Sequence, residues 1–311
     1  MPESRPAPFP FHLLSPPDPA ALPLPRPVRP AEGVRLLRDA VYRVPEGGRP
    51  LTVDLWLPET AAAQPVPVVV FVHGGGWRAG RKDDPGPRFR DWEPGPFARL
   101  AQQGFGVACP QYRLSGEARY PAQSDDLAAA LAWLHARAGE LGLDTARTVL
   151  WGESAGGHLA ALAALSSPAP GASATITGCV TWYAPTDLPN LGEDLPGEGR
   201  HHADDPCSRE ALLLGGPPGR EREAARAASP VSHAGPGAPP FLLLHGTDDA
   251  LVPARQSVRL AEALREHGHQ PELRLIAGGN HLWVGLDDEE VRDCYLRTLD
   301  FARRCTRARG D

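Results

Sequence analysis

One serine in this sequence stands where a hydroxyl can act as a nucleophile. It lies in Gly152-Glu153-Ser154-Ala155-Gly156, between an apolar run at 148–151 and an Ala/Leu-rich run at 158–165. The first run predicts a short buried strand and the second a helix. A Gly-x-Ser-x-Gly turn between strand and helix pushes the serine out at its tip, and it leaves no room for side chains at the flanking glycines. The helix behind it starts with unpaired amide N–H groups that point at the site. The chemistry would be attack of the hydroxyl on an acyl carbon, for which a serine needs a base within hydrogen-bond reach.

The pattern also arises by chance as an ordinary turn, so the partners decide. The candidate base is His281, in Gly278-Gly279-Asn280-His281. It follows a predicted strand over 272–276, at the carboxyl end of the sheet, where such sites form. The base needs an orienting carboxylate. Asp248 and Asp249 follow the apolar run 241–245, and Asp187 follows the strand before it; position alone leaves all three open. The tetrahedral intermediate needs preorganised donors. His73-Gly74-Gly75-Gly76-Trp77, right after the β-branched run 66–72, offers backbone N–H groups with no Cβ in the way, and His73 and Trp77 would brace that loop. His158 would pack or hydrogen-bond beneath the site. His267 and His269 sit at a helix end and read as solvated or as dipole partners. His201-His202 with Asp204-Asp205 has metal-ligand residue types. Such clusters in loops are more often solvated, and serine chemistry needs no metal.

Taken together, the chain order is glycine loop, Ser, Asp, His, each after an apolar strand-like run, which is the order of the α/β-hydrolases. From residue 40 to the end the sequence resembles an HGGG-type esterase of that superfamily, close to its hormone-sensitive-lipase-like and feruloyl/acetyl-esterase-like branch. The family's pattern His-Gly-x-x-Asp-x-x-Val-Pro reads here as His245-Gly246-Thr247-Asp248-Asp249-Ala250-Leu251-Val252-Pro253, which puts Asp249 on the acid. The resemblance also assigns the oxyanion donors to Gly75, Gly76 and Ala155. It implies a serine ester hydrolase working through an acyl-enzyme on small or medium acyl, aryl or acetyl esters, with no cofactor or metal. Trp77, Tyr183 and Trp283 are the expected substrate contacts. Relatives that act as arylformamidases also carry an HGG-x-W loop, so amide hydrolysis or acyl transfer would use the same triad. A catalytically dead, ligand-binding hydrolase fold would be expected to lack the serine or the histidine.

Bulk properties narrow the class. The net charge of −6 and the lack of a long basic run exclude a nucleic-acid partner. Five scattered cysteines, with no Cys-x-x-Cys, make neither a disulfide framework nor a zinc site and fit a reducing compartment. No stretch reaches the ~18 apolar residues of a membrane span. The N-terminus lacks a charged region followed by an apolar one, so it does not read as a secretory signal. A cytoplasmic protein acting on a small-molecule ester, without a membrane, is expected.

These residues need a scaffold. From 66 onward, predicted strands alternate with helices over 97–103, 125–141, 254–267 and 288–304, which predicts a mostly parallel, doubly wound sheet with helices on both faces. The run 36–57 predicts two strands around Pro45-Glu46-Gly47-Gly48. Residues 1–33, proline-rich, read as an extended arm that Phe9, Phe11, Leu13 and Leu14 could dock, leaving 34–311 as the hydrolase domain. The segment 188–229 is rich in Gly, Pro and charge, with short helical pieces near 209–214 and 221–227. A loop this long in a compact domain is usually functional, and it reads as a cap inserted after the strand ending near Tyr183.

Overall fold

The β-branched run Val66–Val72 (β4) forms the middle of a nine-stranded sheet in the computed structural model, which describes residues 17–59, 64–166, 174–195 and 204–307. A strand buried on both faces needs apolar residues at every position. Val68, Val70 and Val72 enter the core on one face, and Val69 and Phe71 the core on the other. The remaining strands are β1 (Val28–Ala31), β2 (Val34–Arg43), β3 (Leu51–Pro58), β5 (Gly106–Pro110), β6 (Leu143–Glu153), β7 (Ile176–Trp182), β8 (Phe241–Gly246) and β9 (Glu272–Ile276). Their order is β1-β2-β3-β5-β4-β6-β7-β8-β9. The first three and the β3–β5 pair are antiparallel, and the rest are parallel.

Helices cover both faces. α1 (Pro96–Gln102) contributes Phe97 and Leu100 to one core. α2 (Ala122–Ala136) contributes Leu127, Leu131 and Leu134 to the other, and a short α3 (Ala138–Leu141) follows it. α4 (Ala155–Leu165) is buried along nearly its whole length. Four neighbouring parallel strands, β4, β6, β7 and β8, put the ends that carry the motifs on one edge of the sheet.

Two expectations shift. The helix predicted over 125–141 starts at Ala122 and breaks at Arg137. Asp126, near the start of that helix, is fully buried under Arg43 and Arg113. The arm predicted over 1–33 enters the domain before residue 34. β1 pairs with β2 through Val28↔Leu36, and Pro30 is tolerated because the strand is an edge. The turn Pro19–Ala21 is held where Arg137 donates to the carbonyls of Ala20 and Leu22. Phe9, Phe11, Leu13 and Leu14 lie outside the described residues.

The segment after β7 folds as short pieces: α5 (Leu191–Asp194), α6 (Arg209–Leu214) and α7 (Arg222–Ala227). It is pinned to the body. Ser229 Oγ accepts from Leu188 N and donates to Ala225 O, and Asp194 takes the Arg259 guanidinium from α8 (Arg255–Glu266). The last helix is α9 (Asp288–Thr306), opened by a capping box between Asp287 and Glu290.

Candidate active site

β6 ends at Glu153 and α4 begins at Ala155, so Ser154 alone makes the turn. Its backbone sits at φ 51°, ψ −123°, a strained conformation for a non-glycine residue. Both ends of the turn are secured, since Ser154 N donates to Trp182 O and its carbonyl accepts from His158 N. The flanking glycines are obligatory. A Cβ on Gly156 would stand 2.0 Å from Val72 O, and one on Gly152 would stand 2.3 Å from Gly156 O.

His281 and Asp249, remote in sequence, meet at this turn. Ser154 Oγ lies 3.0 Å from His281 Nε2, and His281 Nδ1 lies 2.7 Å from Asp249 Oδ2. In the matching tautomer the hydroxyl donates to Nε2 and Nδ1–H donates to the carboxylate. All three residues are buried, with exposures of 8%, 9% and 6%. Asp249 Oδ1 accepts from the backbone N–H groups of Leu251 and Val252. Burial pushes the Asp249 carboxyl up, but hydrogen bonds from His245 and His281, and the attraction of His281, outweigh it and hold the group well below the usual carboxylate range. The other two aspartates face elsewhere. Asp248 is exposed and accepts from its neighbour Thr247 Oγ1. Asp187 accepts from Asn190 and lies 3.5 Å from Arg259.

The glycine loop lies alongside. Gly75 and Gly76 take φ of 112° and 60°, and the Gly75 carbonyl accepts from both Arg78 N and Ala79 N. His73 is stacked on Tyr112 at 4.4 Å and donates from Nδ1 to Gly74 O, while Tyr112 donates to His73 O. Burial drives the His73 pKa down to about 4, so the ring is neutral. His158 is neutral for the same reason, at about 4, and uses one nitrogen each way. It accepts from Trp77 Nε1 at 3.1 Å and donates to Ala228 O at 2.5 Å, tying the glycine loop to the inserted segment.

Trp77, Tyr183 and Trp283, read from the sequence as substrate contacts, are 1%, 1% and 0% exposed. They lie under the site rather than on its surface. The Tyr183 ring sits between His281 and Trp283, at 4.7 and 4.8 Å, and supports the base from behind. Packing drew them inward: large rings beside a site are also its most effective buried apolar surface.

Three supporting residues escaped the sequence reading. Glu153 is buried, accepting from Tyr183 Oη at 2.7 Å and Gly74 N at 3.4 Å. Burial pushes its pKa up to about 7, with the hydrogen bonds from Tyr183 and Gly74 opposing the rise. His245 is fully buried, donates to Val252 O at 2.7 Å and lies 3.4 Å from Asp249 Oδ2. Asn280 Oδ1 accepts from His281 N and Ala250 N, which locks the base loop to the acid loop. A signal did exist for all three, because each sits inside one of the motifs. A cleft of about 570 Å³ lies apart from Ser154, between aromatic residues Trp56, Phe89, Trp92 and Phe97. Arg81–Asp83 and Arg90–Asp84 ion pairs stand at its rim. His201 and His202 lie outside the described residues. Among the described residues no three His, Cys, Asp or Glu side chains are grouped to hold a metal, and no helix is long and apolar enough to cross a membrane.

The sequence profile of the BD-FAE family matches residues 53–264, which include the glycine loop, Ser154 and Asp249. The chain belongs to the BD-FAE family. Among curated proteins it is similar to the esterase LipC of Mycobacterium tuberculosis, 31% identical over 262 residues, with 80% of this chain and 62% of LipC covered. The chain spans between about half and three-fifths of the length of the first curated relatives it matches. Among solved structures it superimposes on a truncated carbohydrate esterase from gut microbiota with a TM-score of 0.72. The match covers 87% of this chain and 96% of that one at 22% identity, and so speaks for the fold alone. It is also similar to Thermogutta terrifontis esterase 2 phosphonylated by sarin, at a TM-score of 0.65 and 25% identity, covering 86% and 92% of the two chains. The fold is that of the α/β-hydrolases.

Proposed function

We propose that this chain is a serine carboxylic ester hydrolase. The observation that carries the reading is the unbroken line from Asp249 through His281 to Ser154, at 2.7 and 3.0 Å, on a strained strand-to-helix turn. Ser154 Oγ attacks the ester carbonyl while His281 Nε2 takes its proton, and Asp249 stays ionised and holds the imidazolium. The N–H groups of Gly75, Gly76 and Ala155 receive the oxyanion. The intermediate collapses as His281 returns the proton to the leaving alkoxide. A water, deprotonated by His281, then attacks the acyl carbon; the bond to Ser154 Oγ breaks as His281 returns the proton to it, releasing the carboxylic acid and restoring the serine. Esterase relatives and a phosphonylated structural neighbour support this reading.

Small or medium acyl groups, including acetyl and aryl esters, are the proposed substrates. The cytoplasm is the proposed location, supported by five cysteines that are all free. Ser154→Ala should abolish turnover of p-nitrophenyl acetate, and a fluorophosphonate probe should label Ser154 in the wild type alone. Undiminished turnover by the alanine variant would refute the assignment. N-formyl anilides in the same panel separate ester from amide hydrolysis.

A further inference from the structure

The cap segment places a cation against the proposed oxyanion loop. A Cβ on Gly76 would stand 2.4 Å from Arg209 Cδ, 3.0 Å from Nε and 3.2 Å from Cγ. The arginine stem therefore occupies the space that a side chain at position 76 would fill. Its carrier is firmly held. Ser208 caps α6 by accepting from Ala211 N, Leu213 is fully buried, and Leu213 O accepts from Tyr120 N. The stem is fixed but the charge is free. Arg209 is exposed, and among the described residues no hydrogen bond or ion pair holds its guanidinium.

Three other arginines on neighbouring segments are fully paired. Arg88 donates to Trp283 O, Leu286 O and Asp288, Arg113 donates to Asp126, and Arg259 to Asp194. These act as struts. Arg209 has the position of a site residue and no strut function. Beside it Gly75 is exposed and Gly76 half-buried, so the loop opens to solvent where the guanidinium sits. A guanidinium is a planar fork that matches a carboxylate with two parallel hydrogen bonds.

We propose that Arg209 is a specificity-determining residue that binds a carboxylate carried by the ester substrate, so that the preferred substrates are anionic esters. This inference rests on the ester-hydrolase reading. The overall charge of −6 would by itself repel such substrates, which makes a local cation at the mouth the device that admits them.

Two matched pairs test it. On the acyl side, mono-p-nitrophenyl glutarate is compared with its neutral methyl ester. On the leaving-group side, 4-acetoxybenzoate is compared with methyl 4-acetoxybenzoate. The readout is the ratio of kcat/KM for the anionic over the neutral member, in wild type, Arg209→Gln, Arg209→Lys and Arg209→Glu. A charge-assisted hydrogen bond contributes enough for the ratio in at least one pair to fall about ten- to hundredfold in Arg209→Gln. It should fall further in Arg209→Glu and be partly retained in Arg209→Lys. The loss should sit mainly in KM, and raising salt should shrink the wild-type ratio but not that of Arg209→Gln. Equal ratios in wild type and Arg209→Gln for both pairs would overturn the proposal and leave Arg209 a solvated surface cation. Absence of Ser154-dependent turnover of all four esters would instead refute the ester-hydrolase reading, and this inference with it.

Discussion

At the scale of single residues, the choice among three aspartates illustrates what a carboxylate needs to orient a base. Asp249 has two backbone N–H donors on one oxygen and His281 on the other. Asp248, one position earlier, faces solvent and Thr247. The two neighbours differ in burial across the turn that follows β8, so a shift of one residue exchanges a buried acid for a solvated one. Asp249→Asn should therefore lower kcat by about 10⁴-fold by permitting the wrong histidine tautomer, the size seen in a serine protease. Asp248→Asn and Asp187→Asn should cost tenfold or less, roughly the loss expected for groups that act through another residue. Steady-state kinetics on p-nitrophenyl acetate, with circular dichroism to verify folding, decides it. A crippled Asp248→Asn beside an active Asp249→Asn would place the acid one residue earlier.

At the scale of elements, turns and loops carry the site and the sheet carries the loops. Among the described residues, five of the six non-glycine residues with positive φ are Trp77, Ser154, Tyr183, Leu282 and Trp283. They sit on the segments after β4, β6, β7 and β9, where strain persists because the surrounding packing over-determines it. The inserted segment is a different kind of element, short helices stapled at a few points. A cap exchange starting at Asp194 would remove the carboxylate that holds Arg259 and Gln256. Replacing residues 196–206 with a short Gly/Ser linker keeps that staple. The exchange should change acyl chain-length preference across p-nitrophenyl acetate to decanoate, with the thermal midpoint nearly constant. An identical chain-length profile would show that those residues do not line the site.

At the scale of the whole molecule, the buried Glu153 couples the site to stability. Its carboxyl is raised from the ordinary 4.5 to about 7 because burial penalises the charged form. Between those values the folded state binds more protons than the unfolded chain, so stability falls as pH rises through that window. Integrated over the shift, the loss is at most about 3 kcal/mol. Glu153→Gln, neutral at every pH, should flatten the slope of denaturant-unfolding stability between pH 5 and 7.5. An unchanged slope would mean that Glu153 is ionised throughout. The same residue shows where reading the sequence stopped. Local pattern was enough for what depends on neighbours along the chain: alternating strands and helices, the glycines that Ser154 and the His73 loop require, and the order of the motifs. It named Ser154 and His281 but left three aspartates open, and the family resemblance chose Asp249; the three chosen residues lie within hydrogen-bond contact. Tertiary structure alone decided what depends on which side chains become buried together. Trp77, Tyr183 and Trp283 turned inward because large rings gain more from packing than from water, and the Val28–Ala31 strand joined the sheet although its proline-rich context suggests an extended arm outside it. Glu153 became a proton-holding acid, and Arg209 came to rest on Gly76, through contacts spanning 30 to 133 residues of chain, which no periodicity or spacing encodes.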